Sequence, residues 1–284
     1  MLSKKSITAF EELLSEQILS VQPLYGGDVN EVYVLLTETR KVVVKINDAL
    51  RFPKMFEEEA KGLQLLEQTK TIKVPKVLDV GVVKGKAFLL LPYINEGKEF
   101  DGFSEMFGTQ LTKLHSCSAS RFGLESHNYI GSLPQYNEFC TTASDFYISQ
   151  RLQPQFEWAG QKGFMFNEED SLYKILEDII PNEKPSLIHG DLWSGNYIIG
   201  SDHSIYLIDP AVAFAPREMD LGMMYLFGGF PERLFEVYNE EFPLQQGWKK
   251  RLPLWQLYYL LVHLNLFGAS YYPRIKSILQ QYTS

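Results

Sequence analysis

Apolar residues recur in two rhythms over the first third of the chain. Ile7, Phe10, Leu14 and Ile18 return at helical intervals, and Thr8-Ala9-Phe10-Glu11 has capping-box spacing, so an amphipathic helix is expected at the start. Three strand-like runs follow, Ser20–Tyr25, Val32–Leu36 and Lys41–Ile46. Gly26-Gly27-Asp28 separates the first two, and Glu38-Thr39-Arg40 turns the second into the third. Side chains alternate across a strand, so Val42, Val44 and Ile46 share one face of the third run while Val43 and Lys45 share the other. Helical spacing returns over Phe52–Leu66, with Glu57, Glu58 and Glu59 in its front half. Val77–Val83 and Lys86–Leu91 then read as a hairpin about Lys84-Gly85 that ends at Pro92.

Beyond Tyr93 the helical rhythm dominates, at Ser104–His115, Ala143–Ala159, Glu168–Ile180, Glu218–Phe227 and Pro253–Phe267. Only Leu187–Asp209 breaks it, alternating short apolar runs with turn residues as a hairpin does. The pattern predicts an α+β chain: a small mainly-β lobe with one key helix over residues 1–92, and a larger mainly-α lobe over residues 93–284.

Composition narrows the classes. With 284 residues, 45% of them hydrophobic and 22% charged, the chain has the material for a large core. A net charge of −8 without a long basic run argues against nucleic acid, whose grip needs a cationic surface. Cys117 and Cys140 form no C-x-x-C pair, which suggests two reduced thiols and no metal cage. The start is broken by Glu11, Glu12 and Glu16, and Leu252–Phe267 by Pro253, Gln256, His263 and Asn265. Neither offers a secretory signal or a membrane span, so a cytoplasmic protein without a membrane partner is expected.

The chemistry concentrates in Leu187-Ile188-His189-Gly190-Asp191-Leu192-Trp193-Ser194-Gly195-Asn196 and, further on, Asp209. A strand-like entry delivers His189 and Asp191 to a loop, Asn196 ends that loop, and the turn Gly200–Ser204 returns Asp209 beside Asn196. Mg²⁺ takes hard oxygen ligands and usually only one or two carboxylates. Asn196 and Asp209 suit that ion against a triphosphate, leaving Asp191 to accept a hydroxyl proton. The spacing is that of the protein-kinase catalytic loop, H-R-D-x-x-x-x-N. Asp and Asn are also ordinary turn formers, but the whole set at this spacing outweighs that reading. His189 is expected to brace the loop, and His115 and His263 to lie in the core.

The first lobe supplies further parts. Lys45 faces away from Val44 and can meet phosphate, with an edge-strand surface lysine as the plain alternative. A glutamate of the next helix would orient it; helical phase favours Glu59 only modestly over Glu57 and Glu58. Gly26 and Gly27 permit close backbone approach to phosphate, although most Gly-Gly turns are simple hairpins. Pro92, Tyr93 and Ile94 complete the expected ATP contacts. Two departures from protein kinases stand out: Gly190 replaces the Arg before the catalytic Asp, and Asp209 is followed by Pro210-Ala211 rather than Phe-Gly. Both point to a constitutively assembled kinase of small molecules or modified side chains.

His189–Asn196, read as HGDLWSGN, together with Asp209-Pro210-Ala211 closely resembles the fructosamine kinase (ketosamine-3-kinase) family of the aminoglycoside-phosphotransferase-like branch of the kinase fold. The resemblance runs almost end to end, through Met55-Phe56 with Glu59, Asn128-Tyr129-Ile130-Gly131, Pro134-Gln135, Asn137, Arg151–Gln155 and Arg217–Leu221. It implies a bilobal protein-kinase-like fold and favours Glu59 as the partner of Lys45. It also implies ATP- and Mg²⁺-dependent phosphorylation of the 3-hydroxyl of ketosamines, free or on protein lysines, leading to deglycation. Residues 1–92 would then bind nucleotide, and residues 93–284 would carry catalysis and substrate. In relatives a Cys in the Gly-rich loop supports redox-sensitive dimers; Asp28 stands here, so no disulfide switch and a monomer are expected. Trp193 is expected to wall the sugar, with packing as its alternative, and Gln135 and Asn137 to bond sugar hydroxyls, with loop capping as theirs. A kinase of another hydroxylated amine, aminoglycoside- or choline-like, and a non-catalytic nucleotide-binding module are the competing readings.

Overall fold

The computed structural model describes residues 2–24 and 29–283. In chain order, helix α1 (Lys4–Leu14) leads into strands β1 (Ile18–Pro23), β2 (Glu31–Thr37) and β3 (Lys41–Asp48). Then come α2 (Met55–Thr69), β4 (Asp79–Val83), β5 (Lys86–Pro92), α3 (Phe103–His115), β6 (Asn128–Ile130) and β7 (Leu133–Gln135). Helices α4 (Ala143–Tyr147), α5 (Gln153–Gln161) and α6 (Glu169–Ile179) precede β8 (Ser186–Ile188), β9 (Tyr197–Ile199), β10 (Ile205–Leu207) and β11 (Ala213–Ala215). The chain ends in α7 (Glu218–Phe227), α8 (Glu232–Glu241), α9 (Trp248–Phe267) and α10 (Tyr272–Thr283). Packing divides it into two units: Met1–Glu99 with Ile198–Ile208, and Phe100–Tyr197 with Asp209–Ser284. The first therefore runs seven residues beyond Pro92 and takes in the 198–208 excursion.

The first unit is built on an antiparallel sheet in the order β1-β2-β3-β5-β4. The expected alternation along β3 is present. Val42, Val44 and Ile46 pack with Phe10 of α1, Tyr33, Leu35, Phe88 and Leu90, while Val43 lies against Phe56, Ala60 and Leu63 of α2. The Thr8 capping expectation is corrected. Ser3 caps α1 by accepting the Ser6 amide at 3.1 Å, and Thr8 is mid-helix with its hydroxyl on the Lys4 carbonyl. Gly26, Gly27 and Asp28 lie outside the described residues.

In the second unit α9 is buried nearly all round, which explains an apolar helix without an amphipathic stripe. It starts at Trp248 rather than at the expected Pro253, because Arg251 in its opening turns is held by Glu218 and by the Gln245 and Gln246 carbonyls. Helix α7 packs on it closely: a Cβ at Gly222 would come within 2.7 Å of the Trp255 Cβ. The Ala143–Ala159 rhythm is realised as α4 and α5 joined by a π-helical segment, Ile148–Leu152, with Pro154 just after it, so the chain lacks an N–H where the π turns pass into α5. The Leu187–Asp209 hairpin is corrected in part: β9 pairs with β10, but β8 pairs with β11. Helices α8 and α10 had no forecast. Among the described residues no helix is long and apolar enough to cross a membrane.

Candidate active site

β8 carries the chain through Ile188 into His189-Gly190-Asp191, and a single 3₁₀ turn, Ser194–Asn196, closes the loop before β9. His189 is fully buried and accepts the Asp191 amide on Nδ1 at 3.3 Å, a bracing role. The Asn196 Nδ2 donates to the Asp191 carbonyl at 2.8 Å and to its Oδ2 at 3.0 Å. Asn196 and Asp191 are thus locked to each other through the Asn196 Nδ2, and neither bond uses the Asn196 Oδ1.

Sequence reasoning missed the group that fixes this loop from beneath. Asp220 in α7, wholly buried, accepts the His189 amide at 2.7 Å and the Gly190 amide at 2.8 Å, and its Oδ2 meets the His115 Nε2 at 3.2 Å. A carboxylate between the buried Met219 and Leu221 was the available signal. His115 lies in the core as expected, whereas His263 is only partly covered, ringed by Phe227, Phe267 and Tyr271.

The electrostatics single out Asp191. Burial first, then the charge of Asp209 and more weakly that of Asp220, push its carboxyl up to about 7 against the Asn196 hydrogen bond. Asp209 sits at φ 55°, a left-handed conformation that aspartate tolerates better than most residues. The donor set of the Asn196 Oδ1 and the Asp209 carboxylate, beside an Asp191 that feels the Asp209 charge, fits a hard divalent cation. No group of three or more His, Cys, Asp or Glu side chains able to hold a metal alone occurs among the described residues, so phosphate and water would complete such a sphere.

In the first unit Lys45 is no edge-strand surface lysine. β3 is flanked by β2 and β5, and the Lys45 side chain is 6% exposed. Its Nζ donates to the Glu59 Oε1 at 2.6 Å, while Glu58 pairs with Lys61. Of the three glutamates, Glu59 supplies this short ion pair with the lysine. Pro92, Tyr93 and Ile94 are half-buried at the end of β5, with the Lys41 ammonium over the Tyr93 ring.

Trp193 remains open to solvent, its indole across Gly195 and its edge toward Phe227, also exposed. Gln135 and Asn137, 2% and 0% exposed, correct the expectation of a sugar contact. The Gln135 Nε2 donates to the Asn128 Oδ1 and the Ala211 carbonyl, and its Oε1 accepts from Tyr258. The Asn137 Nδ2 donates to the Ser126 carbonyl and the Asn128 Oδ1. Both amides are spent inside the protein, as the loop-capping alternative requires.

A lysine–glutamate pair on a sheet and a helix, followed by a loop with Asp191, Asn196 and Asp209, defines the protein-kinase-like phosphotransferase fold. The 16%-identical aminoglycoside phosphotransferase APH(4)-Ia superposes on all of the chain and all of its own with a TM-score of 0.68. The family is narrower. The fructosamine kinase model matches residues 2–284, and the chain belongs to that family. It is 36% identical to the "Probable ketoamine kinase" of Lactiplantibacillus plantarum over 97% of this chain and 98% of that one. It is likewise 36% identical to a protein of that name from Enterococcus faecium over 92% and 95%. The crystal structure of a "Putative fructosamine-3-kinase" from Haemophilus somnus has a TM-score of 0.90 at 31% identity, covering 99% of this chain and 97% of that one.

Proposed function

We propose that the protein is an ATP-dependent kinase that phosphorylates the 3-hydroxyl of ketosamines, free or on protein lysines, and so initiates deglycation. The observation that carries this reading is the geometry of the loop: Asn196 holds the carbonyl and the Oδ2 of Asp191, and Asp220 fixes the two amides before it, within a chain of the fructosamine kinase family. A general base works best with its pKa near the operating pH. Asp191 takes the proton of the attacking hydroxyl, while Lys45, held by Glu59, binds phosphate oxygens and Pro92, Tyr93 and Ile94 receive the adenine side of the nucleotide. Asn196 and Asp209 would hold Mg²⁺, which when bound neutralises phosphate charge during transfer. The exposed Trp193 offers an apolar wall to the sugar. The reading carries with it a cytoplasmic monomer that engages neither nucleic acid nor membrane.

The test is ADP release from ATP·Mg²⁺ with ribulosyl-, erythrulosyl- and fructosyl-lysine beside choline and an aminoglycoside, with the product phosphate located by NMR. Turnover of a ketosamine with phosphate on O3 is expected. Asp191→Asn should lose about 10²–10⁴-fold in turnover while still binding ATP·Mg²⁺. Turnover of choline or the aminoglycoside alone would reject the substrate, and full activity of Asp191→Asn would reject the base.

A further inference from the structure

The amides of Asn128, Gln135 and Asn137 form a buried network; Asn137 also donates to the Ser126 carbonyl, while Gln135 and Asn128 each reach one carbonyl of the segment after β10. Arg151, 1% exposed in the π-helical segment, gives its Nη2 to the Asn137 Oδ1 at 2.8 Å. The Asn137 Nδ2 passes to the Asn128 Oδ1 at 3.0 Å, and the Gln135 Nε2 to the same oxygen at 2.8 Å. On that segment the network ends on two main-chain carbonyls: Gln135 Nε2 on Ala211 at 3.0 Å and Asn128 Nδ2 on Val212 at 2.9 Å. Ala211 and Val212 are themselves buried, so those oxygens have little water to turn to. Among the described residues no carboxylate pairs with Arg151, whose guanidinium lies instead 4.5 Å from the Phe146 ring centre. A buried cation without a counter-charge is costly, and a π segment in a helix often marks a functional position.

We propose that Asn128, Gln135 and Asn137 are positioning residues for the loop after β10. By fixing the Ala211 and Val212 carbonyls they hold the backbone on which Asp209 is presented at φ 55°. The inference rests on the reading that Asp209 holds Mg²⁺. From the other side, the Ala211 amide donates to the His189 carbonyl at 2.9 Å, so the segment is clamped by the catalytic loop and by the amides together. Metal ligands depend on such outer contacts for their orientation.

The experiment is calorimetric titration of the full chain with ATP at rising Mg²⁺, a binding readout independent of turnover. Gln135→Met removes both donors at nearly constant volume, and the Mg²⁺ needed for half-maximal binding should rise about 10- to 100-fold. Tyr258→Phe cuts only the bond on the far side of the same amide and should leave that requirement unchanged. A folded Gln135→Met protein with the wild-type requirement overturns the proposal, as does an equal rise in Tyr258→Phe, which would signify general loosening. Should Gln135→Met fail to fold, Asn128→Ser, which loses the Val212 bond, decides by the same criterion. Asp209→Ala separates the two ideas: no change in it sinks the metal reading, whereas a rise in it without one in Gln135→Met sinks only the positioning role.

Discussion

Replacing the proposed base should make the protein more stable. Asp191 has its carboxyl raised from 3.8 to about 7, chiefly by burial and then by Asp209. Between those pH values the folded chain holds a proton that the unfolded chain has released. The aspartate therefore costs nothing near pH 4, costs progressively more as pH climbs, and costs its full amount above about pH 7. Three pKa units at ~1.36 kcal/mol each set a ceiling of about 4 kcal/mol. Asp191 keeps part of its surface open although protein surrounds its carboxyl, so water screens some of that cost. Asn at 191 can still accept the Asn196 bond, and about 1–3 kcal/mol is the working figure. Unfolding entropy of ~2.1 cal/mol/K per residue converts this into a melting-temperature gain of roughly 2–5 °C. The assay is thermal or urea unfolding of Asp191→Asn and wild type in chelator, from pH 4.5 to 8.5. The gap should open with rising pH and close towards pH 4. Equal stability at pH 8, or a gap independent of pH, would refute the electrostatic account.

Two further outcomes follow from single contacts. Gly190→Ala puts a Cβ 2.0 Å from the Ala211 carbonyl oxygen at φ 83°, where the backbone must move; a folded protein with kcat down about 100-fold is expected, and an unaltered kcat would contradict the packing. Glu218 is buried between Arg251, at 2.6 and 2.9 Å, and the Trp255 Nε1 at 2.8 Å. Glu218→Ala strands the guanidinium and should cost about 3–5 kcal/mol, lowering the melting temperature by about 5–8 °C in calorimetry; a drop of under a degree would show the pair to be idle.

What the sequence disclosed depended on the range of the interaction. Lys45 was legible because strand alternation is local, and Asp191 and Asn196 because five residues of loop fix their separation. Choosing Glu59 over its neighbours needed the register of α2 against β3, which helical phase alone leaves loose. Gln135 and Asn137 were expected to bond sugar hydroxyls, with loop capping as the alternative, because an amide in a turn-rich stretch suits either role. Their partners Ala211, Arg151 and Tyr258 lie outside the local stretch, so nothing local betrays a buried network. Asp220 escaped for the same reason: its ligands are the amides of residues 189 and 190. The pairing of β8 with β11 rather than with the following hairpin is likewise a long-range choice.

The two departures from the protein-kinase pattern are one structural fact. The Ala211 carbonyl oxygen occupies the space that any side chain at 190 would need, and the Ala211 amide bonds the His189 carbonyl. An arginine before Asp191 is thereby excluded by the course of the Asp209-Pro210-Ala211 segment, not merely absent. Conversely, the segment can lie so close only because position 190 has no Cβ and tolerates φ 83°. Pro210 fixes its own φ next to Asp209, and the Ala211 oxygen is taken up by Gln135. A Phe-Gly pair that swings between states would have to break these contacts each time. These contacts tie the Asp209-Pro210-Ala211 segment to His189, Gly190 and Gln135 at once, so moving it would break all of them together.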